Sequence, residues 1–332
     1  FTRYTPAAGI PELRNAVAEQ ACRDWQWPEL AAENVVVTVG GKQALFNLML
    51  AVLNPGDEAV IFAPYWVSYP EMVRLAGGRP VIVPTPMDAR FQPNAEALEK
   101  AITPRTRLVI LNSPSNPTGV AFDRRTVEEL ADVLRAHPNV WIATDEIYRK
   151  ILFSGRTHHS IARIAPDLRD RIVIVDGVSK SWRMTGWRIG FAIGPRAVIR
   201  AMAAIQGQST SNACSIAQKA ALAALRADEA EIRAMTAQYE ARAKWLATQL
   251  SKAPGLRFIE PDGAFYLFLD VSARLQAGED DVAFCTRMLE EAGVGLVPGS
   301  AFGMPGFVRL SFAVAEETLR EAARRLLHAL GA

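Results

Sequence analysis

The stretch NVVVTVGGKQALFNLMLAVL, residues 34–53, sets a short β-branched run directly before a helical pattern. Valine and threonine favour extended backbone, and the glycine pair at positions 40 and 41 interrupts the strand. Residues 43–53 repeat apolar side chains at helical spacing, and Asn54-Pro55-Gly56 predicts the end of that helix. A strand that turns straight into a helix is the unit from which parallel sheets covered by helices are built.

The same alternation of strand and helix continues along much of the chain. Further strands are predicted at residues 58–63, 80–83, 107–112, 140–145, 172–175 and 189–193, and further helices at residues 10–25, 69–76, 95–102 and 124–136. We therefore expect an α/β fold with a mostly parallel sheet and helices on both of its faces. Ligands of such sheets bind beyond the carboxyl ends of the strands, so the residues that follow each strand are the candidate site.

The pattern changes near residue 215. Residues 216–250 form a nearly continuous helical pattern that is long for a globular helix, which indicates a connector between domains. Short strands at 257–259, 265–269, near 294–297 and at 307–312 then alternate with helices at 282–292 and 316–329. We predict a large domain over residues 1–240, a connector helix over about 216–250, and a smaller α+β domain over residues 251–332.

Composition excludes several classes of protein. Half of the 332 residues are hydrophobic and 22% are charged, which excludes a disordered or low-complexity chain. A net charge of +2 over the whole chain does not indicate a nucleic-acid-binding surface. No apolar run approaches the roughly 20 residues of a membrane span. Three distant cysteines without a CxxC pair favour the reducing cytoplasm. The four histidines lack metal-ligand spacing, so no metal is expected.

Two predicted strands are followed by residues that suit an anion and a planar ring. Gly40-Gly41-Lys42 opens a helix, whose free N–H groups and dipole favour a phosphate, although a plain turn has the same sequence. Trp66 follows the strand at 58–63, where its ring could stack on a planar cofactor or pack in the core.

Two more strand ends carry an amide and a carboxylate. Asn116 lies in the turn SPSNPTG, residues 113–119, whose prolines and glycine fix the backbone and aim the amide. Asp145 ends the strand at 140–145, and a carboxylate there needs a partner because burial costs free energy. A cationic ring nitrogen is one such partner, and a helix N-cap is the plainer alternative.

Three basic residues complete the candidate set. Lys180 follows the apolar run 172–175, and an amine at the ligand edge of a sheet can form a Schiff base with a carbonyl, although most lysines are solvated surface charges. Arg188 lies eight residues further on and could bind a phosphate. Arg309 lies in the strand-like run FVRLSF, residues 307–312, and a carboxylate would be a natural partner for it.

Taken together, these motifs resemble one known family over essentially the whole chain from Tyr4 onward. They are GGKQALF at 40–46, PYW at 64–66, SNPTG at 115–119, DEIY at 145–148, SK and GWRIG within 179–190, and RLSF at 309–312. The sequence is similar to the class I/II aminotransferases, which are pyridoxal-phosphate enzymes of fold type I. Its motifs are most like those of the bacterial aspartate aminotransferase subgroup.

The resemblance implies a cofactor role for each matching residue. Lys180 would carry pyridoxal 5′-phosphate as a Schiff base and then move the substrate proton. Asp145 would keep the pyridine nitrogen protonated, and Tyr148 and Asn116 would hydrogen-bond the ring hydroxyl. The other implied cofactor contacts are ring stacking by Trp66 and phosphate binding by Arg188, Ser179, Gly41 and Lys42.

The resemblance also implies the substrates and the assembly. Arg309, assisted by Asn116 and with Trp66 nearby, would bind the α-carboxylate of an amino acid or 2-oxo acid, and Lys42 the distal carboxylate of a dicarboxylic substrate. Tyr4 would reach across the interface of a homodimer with shared active sites. Family members carry an N-terminal segment of the small domain before the position of Tyr4, and we expect it to be absent here.

Three functions remain open at this point. The first is transamination, with aspartate and 2-oxoglutarate the expected pair and with aromatic amino acids or prephenate as alternatives. The second is another reaction on the same cofactor, such as C–S β-lysis, because the cofactor motifs are shared. The third is a non-enzymatic sensor domain of a transcription regulator, which would need a DNA-binding module upstream.

Overall fold

A seven-stranded sheet organises the first part of the chain in the computed structural model, which describes residues 1–331. Its strands are Val35–Thr38 (β1), Glu58–Ala63 (β2), Arg79–Pro84 (β3), Thr106–Asn112 (β4), Trp141–Asp145 (β5), Ile172–Gly177 (β6) and Gly190–Ile193 (β7). They lie in the order β1-β7-β6-β5-β4-β2-β3, and β7 is antiparallel to both of its neighbours whereas the other pairs are parallel. The predicted α/β class with a mostly parallel sheet is confirmed.

Helices cover both faces of this sheet. They are Pro11–Asp24 (α1), Gly40–Val52 (α2), Ser68–Leu75 (α3), Ala95–Ala101 (α4), Arg124–Ala136 (α5), Ile161–Ile164 (α6), Arg196–Ser209 (α7) and Ser215–Arg226 (α8). Val35 and Val37 pack into the core on one face, and Val36 packs into the core on the other. Because both faces are buried, the strands are continuous apolar runs rather than alternating ones.

The C-terminal part adds a smaller antiparallel sheet with its own core. Its strands are Arg257–Phe258 (β8), Tyr266–Asp270 (β9), Val297–Pro298 (β10) and Phe307–Ser311 (β11), in the order β10-β11-β9-β8. The helices beside it are Ala230–Leu250 (α9), Asp281–Ala292 (α10) and Glu316–Ala329 (α11). The strand expected near 294–297 begins only at Val297, because Gly293 ends α10 in the left-handed conformation and the chain must first turn back.

The expected continuous helix over residues 216–250 is divided in two. Ala227 is extended, and the Asp228 carboxylate accepts a hydrogen bond from the backbone N–H of Ala230 at 2.9 Å, so α9 starts anew after α8. Apolar side chains along α9, such as Ile232 and Leu246, pack into the C-terminal core. The domain bounds at 240 and 251 stay a prediction.

The start of α2 and the unpredicted helix α7 together fix the edge of the large sheet. Helix α2 begins at Gly40, earlier than the sequence pattern predicted. Gly40 has φ +79°, and a Cβ there would lie 2.4 Å from a terminal nitrogen of Arg188, so this position requires glycine. From α7, the Gln206 side-chain amide donates to the carbonyl of Val37 at 2.7 Å and to that of Ala7 at 2.6 Å.

Within residues 1–331, no helix is long and apolar enough to cross a membrane. The same residues contain no group of three or more His, Cys, Asp or Glu side chains that could hold a metal ion.

Candidate active site

A cleft of about 340 Å³ lies where the carboxyl ends of β4, β5 and β6 meet the C-terminal sheet. Every residue selected from the sequence, apart from Tyr4, lines this cleft. Four further residues share its walls, namely Tyr69, Asn112, Ile147 and Tyr266. The parallel strands therefore bring together side chains that are far apart in the sequence.

Asp145 places a carboxylate in the floor of the cleft. It ends β5 and is only 6% exposed. The Tyr69 hydroxyl donates to its Oδ2 at 2.6 Å. Burial raises the pKa of Asp145 to about 6, against the lowering effect of the Tyr69 hydrogen bond. A cation placed next to this carboxylate would remove most of the cost of its burial, which suits a protonated ring nitrogen.

Lys180 lies three residues beyond the end of β6 and is partly buried. Burial lowers the pKa of its amine, and the nearby Arg188 cation lowers it further. Its Nζ lies 5.9 Å from the centre of the Tyr148 ring and 5.8 Å from that of Phe265. These conditions favour the neutral amine, which is the form that attacks a carbonyl or accepts a proton.

The first turn of α2, Arg188 and Ser179 bring hydrogen-bond donors to the same cleft. Val39 precedes the helix without a side-chain cap, so the first N–H groups of α2 are free to bind an anion. The Arg188 guanidinium donates to the carbonyl of Thr185 at 2.9 Å and to that of Val39, the residue before the turn, at 3.4 Å. The Ser179 Oγ is buried and has no hydrogen-bond partner among residues 1–331. A bound phosphate would satisfy these donors together.

Gly177 lies where β6 and β7 approach each other closely. A Cβ at position 177 would lie 2.9 Å from the Cα of Gly190 and 2.9 Å from the carbonyl of Ile189. The close approach of β6 and β7 therefore excludes any side chain at 177.

The substrate side of the cleft is built on an amide and a guanidinium. Asn112 donates from its side chain to the carbonyl of Asp145 at 2.9 Å, and its oxygen accepts from the backbone N–H of Asn116 at 2.9 Å. The Asn116 side-chain oxygen in turn accepts from Arg309 at 2.8 Å. The Arg309 Nε is buried and unpartnered within the described residues, so one edge of the guanidinium is available to a carboxylate.

Trp66 and Lys42 form the outer wall. The Trp66 ring meets Tyr69 edge to face, with centroids 5.4 Å apart. The Nζ of Lys42 lies 5.1 Å from the centre of the Trp66 ring. Lys42 is exposed on α2 and therefore brings a second cation to the same cleft as Arg309.

Tyr4 is the one selected residue outside the cleft. Its side chain is 90% exposed, and it precedes α1. Within a single chain it makes no contribution to the walls described above.

Tyr69 and Tyr266 are the functional candidates that sequence reasoning missed. Tyr266 lies in the apolar run AFYLFL, residues 264–269, and Tyr69 lies at the start of a predicted helix, and in both places a tyrosine is read as core. Their hydroxyls bond Asp145 and Tyr148 across 76 and 118 residues of sequence. The one available signal was the position of Tyr69 soon after the end of β2, beside the selected Trp66.

Comparison with known proteins gives consistent matches. The family model for aminotransferases of class I and II matches residues 1–326. An aspartate/prephenate aminotransferase of Cereibacter sphaeroides is 47% identical over 332 residues, covering 98% of this chain and 83% of that protein. An aspartate aminotransferase of Geobacillus stearothermophilus is 45% identical over 327 residues, with coverages of 98% and 83%.

Solved structures agree with these sequence matches. The aspartate aminotransferase of Thermus thermophilus with maleate superposes with a TM-score of 0.92 at 44% identity, covering 99% of this chain and 84% of that chain. The aspartate aminotransferase of Thermotoga maritima gives a TM-score of 0.93 at 42% identity, with coverages of 100% and 85%.

The raised pKa of Asp145 predicts a pH dependence of stability that one substitution removes. The folded protein holds this proton up to about pH 6, whereas the unfolded chain releases it near pH 3.8. Asp145 therefore makes its full contribution to the free energy of unfolding below pH 3.8, and this contribution is lost as the pH rises through about 6. The loss amounts to ~3 kcal/mol. Urea unfolding of cofactor-free Asp145→Asn across this range should lack the fall seen in the parent protein.

A second carboxyl serves as the control. Hydrogen bonding to Arg135 lowers the pKa of Asp167, so the contribution of that group is lost as the pH falls. The difference in the free energy of unfolding between the parent and Asp167→Asn should therefore change with pH in the opposite direction to the difference between the parent and Asp145→Asn. Parallel curves for the parent and Asp145→Asn would contradict the charge state inferred for the cleft.

Proposed function

The chain belongs to the class I and II aminotransferases, which depend on pyridoxal phosphate, and on that premise we propose that it transfers the amino group of aspartate to 2-oxoglutarate. The observation that carries the choice of substrate is the pair of cations, Lys42 and Arg309, in one cleft. Aspartate, glutamate and their 2-oxo acids each carry two carboxylates, which two cations match.

The cleft residues fit the cofactor. When bound, pyridoxal phosphate supplies an aldehyde that condenses with amines and a ring that accepts electrons from the substrate Cα. We assign Asp145 to the ring nitrogen, because its buried carboxylate accepts hydrogen bonds only from neutral donors, Tyr69 and the backbone of Ile147, among the described residues. Tyr148 and Asn116 would face the ring hydroxyl and Trp66 the ring surface. We assign the phosphate to Ser179, Arg188 and the backbone N–H groups of Gly41 and Lys42.

Lys180 is the proposed base. Burial lowers the pKa of its amine. The amine would take the proton from the substrate Cα and deliver it to C4′ of the cofactor. The partly buried position limits access of water to the proton in transit. Lys180 thereby serves both as the covalent anchor and as the proton carrier.

Arg309 and Asn116 are the proposed binding pair for the α-carboxylate. The hydrogen bond between them orients the guanidinium, so its free edge is presented in a fixed plane. Lys42, which lines the same cleft, would meet the distal carboxylate. The aspartate aminotransferase of Thermus thermophilus was solved with maleate, which is a dicarboxylate, and this supports the choice of a substrate with two carboxylates here.

The names of the relatives favour transamination over the other reactions considered. They are called aspartate aminotransferase or aspartate/prephenate aminotransferase, and neither β-lysis nor a sensor role is favoured. Prephenate also carries two carboxylates, so it belongs in a substrate panel beside aspartate and glutamate.

We also propose a homodimer with shared sites and a reducing, cytoplasmic location. An exposed tyrosine at position 4 supports a partner that covers it. Three cysteines without a disulfide, Cys22, Cys214 and Cys285, support the location. The division into domains of residues 1–240 and 251–332 is likewise a proposal. The separate cores of the two sheets support two domains, and α9 packs into the second core from Ile232 onward.

Lys180→Ala tests the central assignment. The variant should keep cofactor through Asp145 and Arg188 but lose the covalent link and the proton carrier. Transamination should fall by roughly 10³-fold or more. Absorbance spectra should report bound but unlinked cofactor, and turnover near that of the parent would refute the role.

Lys42→Ala tests the choice of substrate. A charge pair in a partly dry cleft is worth about 2–4 kcal/mol, so kcat/KM for aspartate should fall about 30- to 1000-fold. The values for alanine and phenylalanine should fall much less. Lys100→Ala, which removes an exposed lysine paired with Glu96, is the control and should change neither. An equal loss for acidic and neutral amino acids would show that Lys42 serves the phosphate or the fold.

Hybrid dimers test the shared site. Subunits carrying Lys180→Ala and subunits carrying Tyr4→Ala are each expected to be impaired, but a mixed dimer contains one site with both native residues. Mixing after reversible dissociation should therefore give more activity than the two variants assayed apart. A monomer that is active in sedimentation experiments would rule out this arrangement.

A further inference from the structure

Tyr266 lies between the residue assigned to the cofactor ring and the residue assigned to the substrate carboxylate. Its hydroxyl is 2.9 Å from that of Tyr148, and the guanidinium carbon of Arg309 lies 4.6 Å from the centre of its ring. Tyr266 and Tyr148 are both almost fully buried.

The register of the C-terminal sheet fixes the contact with Arg309. Phe268 pairs directly with Arg309 in the antiparallel ladder, and Tyr266 pairs with Ser311. Tyr266 and Arg309 are therefore diagonal neighbours on one face of the sheet. The guanidinium also lies 5.0 Å from the centre of the Phe302 ring, so two aromatic side chains restrict its plane.

The direction of the hydrogen bond between the tyrosines decides what Tyr148 can do. If Tyr148 donates to Tyr266, its one proton is used and it can only accept from a ligand. If Tyr266 donates, the proton of Tyr148 remains for an oxygen in the cleft. Burial raises the pKa of both phenols, and the Arg309 cation opposes the rise at both. The guanidinium of Arg309 lies 4.6 Å from the centre of the Tyr266 ring, whereas the Lys180 amine lies 5.9 Å from that of Tyr148. The nearer cation polarises the Tyr266 phenol more strongly and favours its hydroxyl as the donor.

We propose that Tyr266 is a positioning residue that donates its hydroxyl proton to Tyr148 and supports the guanidinium of Arg309 with its ring. One side chain would then orient the cofactor-facing hydroxyl and the substrate-facing cation together. The inference rests on the proposed function for the roles of Tyr148 and Arg309. The hydroxyl of Tyr266 serves Tyr148 and its ring serves Arg309, so the two tasks can be separated by substitution.

Two variants separate the hydroxyl from the ring. Tyr266→Phe keeps the ring beside Arg309 and removes the donor to Tyr148. Tyr266→Leu removes both, and Tyr266→Met replaces it where the leucine variant does not fold. Tyr239→Phe is the matched control, because Tyr239 lies in the same aromatic cluster and its hydroxyl makes no hydrogen bond within residues 1–331.

The first readout is the pH titration of the absorbance of the bound cofactor, without substrate. A hydrogen bond donated to the ring oxygen of the cofactor stabilises the deprotonated form of the cofactor. If the Tyr148 hydroxyl loses its fixed orientation, the midpoint of the absorbance titration should therefore rise. We expect Tyr266→Phe to change the protonation constant roughly 3- to 10-fold, the size expected for one hydrogen bond. A midpoint equal to that of Tyr239→Phe would overturn the proposal even if aspartate is the substrate.

The second readout is substrate binding. The KM for aspartate and the Kd for maleate should stay within about twofold in Tyr266→Phe, whereas Tyr266→Leu should weaken both roughly 5- to 30-fold, the range of a partly desolvated cation–π contact. Equal losses in the two variants would overturn the division of tasks. Lack of aspartate turnover in the parent protein would refute the proposed function instead, since the absorbance titration does not depend on it.

Discussion

The buried carboxylate of Asp145 is the constraint on which the rest of the site depends. Burial at the end of β5 holds its pKa at about 6, and Tyr69 provides one hydrogen bond against that cost. A cation in a fixed position relieves the cost far better than a hydrated ion, which cannot enter without losing its own water. The energetics of the cleft therefore favour a bound cationic ring, and cofactor affinity is linked to stability of the fold.

The docking of the two sheets supplies the second requirement, because Arg309 comes from the C-terminal sheet whereas Asp145, Asn116 and Lys180 come from the large one. The Gly119 carbonyl accepts from the backbone N–H groups of Asp262 at 2.9 Å and Gly263 at 3.0 Å. This contact holds the turn that carries Asn116 against the loop that leads into β9. The bond from Arg309 to Asn116 is then the consequence of a backbone contact, not of two mobile surface side chains meeting.

Much of the site could be predicted because parallel strands carry their functional residues at one end. Asp145, Asn116 and Lys180 each follow a strand that apolar β-branched residues mark clearly. Tyr69 and Tyr266 could not be found in this way, since their partners lie 76 and 118 residues away and no local pattern records the contact. The break between α8 and α9 was missed for a similar reason: an alanine-rich segment favours helix throughout, and a single aspartate cap divides it.

The balance of charge in the cleft explains why acidic substrates would be preferred but neutral ones not excluded. Arg188 lies beside the start of α2 and suits the phosphate, which leaves Arg309 and Lys42 for two carboxylates. Arg309 is partly buried and needs an anion, whereas Lys42 is exposed and already lies over the Trp66 ring, a contact worth ~0.5–1 kcal/mol. Without a distal carboxylate, Lys42 keeps that contact and its water. A neutral amino acid therefore lacks one attraction but leaves no buried charge unpaired. We expect a lower kcat/KM for neutral amino acids than for acidic ones, without complete exclusion of the neutral ones.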